Sequence, residues 1–87
     1  MIMRTSFMHL RSGARYRVVA PFRDFDGEVH QPGMEWTFEG HSFLPYDDGL
    51  SLFVEQDGRT RQIRLRWLPG DQAEIIDNLS AYLQPAT

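Results

Sequence analysis

The chain has no cysteine and no lysine, and nowhere does it stay apolar for long. Each absence removes a class of explanation. Without cysteine there is no disulfide framework, no thiolate zinc site and no thiol nucleophile. At 87 residues the domain is small for a chain without such staples, so its stability has to come from an apolar core. Eleven aromatic residues make that core plausible. No segment approaches the roughly 18 apolar residues that span a bilayer. The N-terminal M-I-M-R-T-S-F-M-H-L-R has neither a signal-length apolar run nor a small-residue cleavage site. A cytoplasmic location and no membrane partner are therefore expected.

With lysine absent, all nine cations are arginine. This fits either a codon bias or a preference for planar, bidentate carboxylate pairing. The net charge of −3 hides a segregated pattern. Residues 1–23 carry five arginines and no acid, residues 24–57 nine acids and no arginine, and residues 58–68 four arginines and no acid. Three acids fall in residues 69–87.

Residues 1–13 lack periodicity and are expected to be a flexible arm, or at most a short strand on a sheet edge. Met1, Met3 and Met8 could each initiate the chain. From Arg15 the alternation is that of a half-buried strand, with Tyr16, Val18 and Ala20 on one face. Pro21 ends it. Phe22, Phe25 and Val29 then interleave with Asp24, Asp26 and Glu28 around Asp26-Gly27, a dipeptide that favours a tight hairpin turn. Gln31-Pro32-Gly33 turns the chain into a second strand with Met34, Trp36 and Phe38 on one face. Gly40 predicts a bulge or bend. After the Pro45–Gly49 turn, two more alternating runs flank Asp57-Gly58, giving an antiparallel meander. Beyond Pro69-Gly70 the period becomes helical. Ile75, Ile76, Leu79, Tyr82 and Leu83 form one stripe, which predicts a helix over 71–83 capped by Asp71.

Short strands, a long first loop and one terminal helix point to a mainly β (α+β) domain over residues 14–87: a small, bent SH3-like antiparallel barrel of four to five strands. The run D-F-D-G-E-V-H-Q-P-G-M-E-W resembles the acidic first loop of SH3 domains, across about residues 15–40. Past that point the pattern departs. No tandem tryptophan follows the second strand and no Pro-x-x-Tyr closes the domain. The barrel geometry is what this resemblance implies; proline-peptide recognition is not. The wider combination P-F-R-D-F-D-G-E, W-T-F-E-G and F-L-P-Y-D-D-G-L-S-L-F is similar to a small bacterial family of unassigned function, over residues 15–83. That resemblance implies no activity.

Four chemistries compete with plainer readings of the same residues. Asp24, Asp26, Glu28 and His30 fall at alternate positions and could face one cation. The spacing misses the EF-hand pattern and a single histidine is thin for zinc, so these acids read as turn residues and no metal or cofactor is implied. Catalysis finds no nucleophile elbow and no phosphate loop, and nothing marks two carboxylates as coupled; a small hydrolase ranks last. Arg61, Arg64 and Arg66 beside Trp67 form an alternative face for single-stranded nucleic acid. The surrounding acids oppose phosphates, and pairing of Arg64 and Arg66 with Glu55, Glu35 or Glu39 is the plainer expectation. The leading reading is a non-enzymatic protein- or peptide-interaction module, monomeric or weakly dimeric. Its groove would lie between the Arg23–His30 loop and the Pro45–Gly49 turn. Phe25 and Tyr46 would be apolar contacts, and Asp24, Asp26, Glu28 and Asp47 a charged rim suited to a basic partner. Core packing is the competing role for Phe22 and Phe25.

Overall fold

Strand formation follows the alternating pattern closely in a computed structural model that describes residues 6–86. Met1 and Met3 lie outside the described residues. Among the described residues nine strands run in chain order: β1 (Ser6–Phe7), β2 (Leu10–Arg11), β3 (Arg15–Val18), β4 (Phe22–Arg23), β5 (Val29–His30), β6 (Glu35–Leu44), β7 (Gly49–Gln56), β8 (Arg59–Arg66) and β9 (Leu83–Pro85). One short helix, α1 (Ala73–Asp77), and two 3-10 turns, Pro45–Asp47 and Leu79–Ala81, complete the set.

The central sheet is antiparallel, in the order β8-β7-β6-β3-β9. β1-β2 and β4-β5 form two separate two-stranded sheets. The expected SH3-like barrel is therefore wrong: all three sheets are open. The edge of β3 away from β6, where a barrel would need a strand from the other end of the meander, is taken by β9, with Arg17 opposite Gln84 and Val18 opposite Leu83. β8 is left at the far edge. The acidic loop does not close the sheet either, because β4 and β5 pair with each other, Phe22 opposite His30.

The C-terminal segment also departs from expectation. Its apolar stripe is buried at Ile76, Leu79 and Leu83, but the helix spans only 73–77, not 71–83. Asn78 leaves helical geometry at φ −124°, ψ 37°, and its side-chain Nδ2 donates to the Glu74 carbonyl, closing the last turn. Asp71 does not cap; the N-cap position is Gln72, which makes no side-chain capping bond. Its Oε1 instead accepts from the Arg66 backbone N–H at 2.9 Å. In the segment expected to be an arm, Ser6–Arg11 makes a hairpin that inserts Leu10 into the core.

One face of the central sheet supplies Tyr16, Val18, Trp36, Phe38, Leu50, Leu52, Val54, Ile63 and Leu65 to a single core, sealed by Leu10, Phe22, Ile76, Leu79 and Leu83. Pairing β6 with β7 requires a register shift between Phe38 and Gly40, where an extra residue kinks the strand. The β7-β8 hairpin turns at Asp57 (φ 55°) and Gly58 (φ 80°), the positive-φ pair that matches the twist of its flanking strands.

Candidate functional site

On the other face of the sheet, register builds a hollow. Leu44, Gly49 and Arg66 form one row across β6, β7 and β8; Ser42, Ser51 and Arg64 form the next. The middle positions, Gly49 and Ser51, are small, while the flanking side chains are long. The result is a cleft of about 360 Å³ floored by Gly49 and Ser51. One wall is Phe25 with Arg64 and Arg66; the opposite one is Leu44 with Asp47. Gln62 joins the floor and donates from Nε2 to the Ser51 hydroxyl at 2.8 Å.

The Asp24–His30 loop delivers Phe25 to this cleft. Asp24 is buried, and its Oδ1 accepts the backbone N–H groups of Asp26 at 3.0 Å and Glu28 at 2.9 Å. Such a carboxylate turn is what Asp before a Gly-containing bend does locally. Its Oδ2 accepts from His30 Nε2 at 2.9 Å, and the imidazole stacks on Phe22 with centroids 4.6 Å apart. The Phe25 backbone N–H then donates to the Arg64 carbonyl at 2.8 Å, hanging the loop on the edge of β8. Phe25 remains 46% exposed, with the guanidinium carbons of Arg64 and Arg66 at 5.6 and 5.8 Å from its ring centroid, within cation–π range.

Two ion pairs lock the loop from outside. Arg64 grips Asp26 with two bonds, Nη2 to Oδ1 at 2.6 Å and Nε to Oδ2 at 3.1 Å. These bonds hold the Asp26 carboxyl below its ordinary value of 3.8, against a smaller desolvation effect, and push the arginine's own pKa up. Arg61 donates to Glu28 at 2.5 Å and to Gln56 at 2.6 Å. Glu35, one of the acids expected to pair with Arg64 or Arg66, is instead taken by Arg17 and Arg15.

The candidate residues therefore separate. Phe25 and Asp47 line the cleft. Asp24 is inside the loop; Asp26 and Glu28 are exposed but bound to arginines of the same chain. Tyr46 lies on the turn beside Asp47, 100% exposed and not a lining residue. Of the alternative arginine face, Arg61 and Arg64 hold carboxylates at hydrogen-bond distance, while among the described residues the ion-pair partner of Arg66 is Asp71, at 4.0 Å. Phe22 is core and Phe25 is cleft. Asp24, Glu28 and His30 do converge, with donor atoms within 4.8 Å of one another. Each is already engaged, however: Asp24 by two amides and His30, Glu28 by Arg61. The cluster acts as the lock of the loop.

Sequence reasoning reached Gly49 only as the end of the Pro45–Gly49 turn and missed Leu44, Ser51 and Gln62. Their signal was faint but present: small residues at alternate positions of β7, on the face that Glu55 and Phe53 mark as outward.

Among the described residues, no helix is long and apolar enough to cross a membrane. No curated protein matches the chain. It is similar in structure to an integron cassette protein from the mobile metagenome of Vibrio cholerae, with a TM-score of 0.95 and 36% identity over 97% of this chain and 93% of that one. The model of the family described as a domain of unknown function, DUF3601, matches residues 5–84, and the chain belongs to that family.

Proposed function

We propose that this domain is a non-enzymatic module that binds a protein or peptide segment in the cleft between Phe25 and the Pro45–Gly49 turn. The observation that carries this reading is the half-exposed Phe25 ring, anchored by a locked loop over a floor of Gly49 and Ser51. A preformed apolar wall costs a ligand little ordering, and the cleft volume lies in the range that holds one or two side chains.

The charge around the cleft argues for a different partner from the basic one expected. Asp26 and Glu28 are neutralised by Arg64 and Arg61 and Asp24 is buried, while Asp47, with no ion-pair partner among the described residues, stands on the wall opposite Phe25. Arg66 is the less committed charge on the Phe25 wall. A segment with an apolar or aromatic side chain next to a carboxylate meets both features: the ring against Phe25 and Leu44, the carboxylate on Arg66. The nucleic-acid reading ranks behind it, because two of its three arginines already hold carboxylates of the same chain.

The test is selection from a displayed library of random ten-residue peptides. Wild-type protein is expected to enrich sequences with an aromatic residue beside Asp or Glu. Phe25→Ala should lose that enrichment while keeping the wild-type fold by circular dichroism. Recovery of the same sequences by Phe25→Ala would place binding elsewhere and overturn the proposal.

A further inference from the structure

The turn that forms one side of the cleft also carries a projection of its own. Tyr46 is fully exposed. It sits at the end of the β6-β7 hairpin, with Leu44 and Phe43 also exposed nearby. The two residues that follow are acids: Asp48 is held at φ 50°, a conformation that L side chains rarely adopt, and among the described residues neither Asp47 nor Asp48 has an ion-pair partner. An aromatic with the free carboxylate of Asp48 close by is the chemistry proposed above for the ligand of this cleft, while Asp47 belongs to the cleft wall.

We infer that the domain pairs with a second copy of itself, each copy seating Tyr46 in the other's cleft, with Asp48 against the other's Arg66. This rests on the cleft being a binding site. Three observations favour a second copy as occupant. Projection and cleft share the Pro45–Gly49 turn, with Asp47 lining the cleft and Tyr46 preceding it. Side-by-side projection and socket are what a two-fold, self-complementary interface needs, since each contact is then made twice. Charge matches at one contact across the pair: Asp48 on the projection has no ion-pair partner among the described residues, and Arg66 on the socket has Asp71 at 4.0 Å, while Asp47 lines the socket itself. Finally, Tyr46 left wholly in water beside the half-exposed Leu44 of the cleft wall is the kind of apolar surface that marks an interaction site.

Size sets the strength. Two seated tyrosines bury about 150–250 Å² each. With the cleft walls, the interface falls at or below about 1,200 Å², the lower end for specific complexes. The dimer is accordingly weak and exchanges with monomer.

Sedimentation velocity on the full chain, from about 10 µM to about 1 mM, covers the range in which such small interfaces dissociate. Wild type should show a monomer–dimer equilibrium. Tyr46→Ala should raise its dissociation constant at least tenfold with an unchanged melting temperature, and Tyr46→Phe should preserve it. Arg66→Glu should weaken the dimer, and adding Asp48→Arg to that variant should restore much of it. In a mixed isotope-labelled sample, an intermolecular nuclear Overhauser effect between the Tyr46 and Phe25 rings is expected. A wild type that stays monomeric at 1 mM, or a Tyr46→Ala variant that dimerises like wild type, overturns the pairing. If wild type is monomeric but the selected peptides still bind at Phe25, the pairing falls and the cleft survives. If Phe25→Ala changes neither dimerisation nor peptide selection, both fall.

Discussion

Asp24 and His30 close the cleft-bearing loop from within: a buried imidazole Nε2 donates to a buried carboxylate oxygen at 2.9 Å, across the base of the β4-β5 hairpin. The other carboxylate oxygen takes the two amides that shape the turn. One side chain thus sets the loop conformation that presents Phe25.

Asp24→Ala would strand those two amide donors and the imidazole at once. Leaving buried groups unpaired costs about 1–3 kcal/mol each, with partial relief by water, so a loss of about 3 kcal/mol is expected in urea unfolding. Asp24→Asn keeps an oxygen for the amides and should cost about 1 kcal/mol. Equal losses for the two variants would show that the amides, rather than His30, carry none of the effect.

The two phenylalanines of the loop should behave oppositely. Phe22 is core and stacks on His30, so Phe22→Ala should destabilise by about 3–5 kcal/mol. Phe25→Ala removes a half-exposed ring and should change stability far less while abolishing peptide capture. Thermal melts and the peptide selection, run on both variants, separate the roles.

Acid should loosen the ion pairs of Glu35 and Asp26. Arg17 and then Arg15 hold the Glu35 carboxyl below its ordinary 4.5, and Arg64 holds Asp26 below 3.8. A carboxylate whose folded pKa is depressed adds stability that is fully present above its unfolded value and is lost as pH falls through the folded one. The contribution of Glu35 should therefore fade below pH 4.5 and that of Asp26 below 3.8. Urea midpoints from pH 7 to 2 should fall less steeply at the acid end in Glu35→Gln and Asp26→Asn than in wild type. Parallel curves would mean that these exposed pairs contribute nothing measurable.

At the hairpin between β7 and β8, Gly58 has φ 80° and no atom near its missing Cβ. Gly58→Ala would pay only for the backbone conformation, about 1–2 kcal/mol. A neutral result in thermal melts would indicate that the turn shifts type without cost.

The C-terminal segment should be indispensable. It places Ile76, Leu79 and Leu83 in the core and lends β9 to the exposed edge of β3. Leu83→Ala should cost about 2–5 kcal/mol. Truncation after Pro69 should abolish the cooperative melt; a truncated chain that still melts sharply would make the segment an appendage.

Alternation and turn residues by themselves determined the strands from Arg15 to Arg66, the two glycine hairpins at Gly27 and Gly58, and the burial of the 75–83 stripe. These are local: the inward faces of Trp36 and Phe38, or Leu50 and Leu52, follow from a period of two, and Gly58 follows from the need for positive φ. The tertiary structure alone decided what each strand lies beside. Whether the sheet closes depends on β9 reaching β3 from 65 residues away in the chain, after Asn78 stops the helix. Whether the acidic loop is a rim or a lock depends on Asp26 meeting Arg64, 38 residues on. Both are choices among many available partners of the right charge or pattern, and no local period records which one is taken. The cleft belongs to the same class, since Gly49 and Ser51 become a floor only when register sets Leu44 on one side of them and Arg64 and Arg66 on the other.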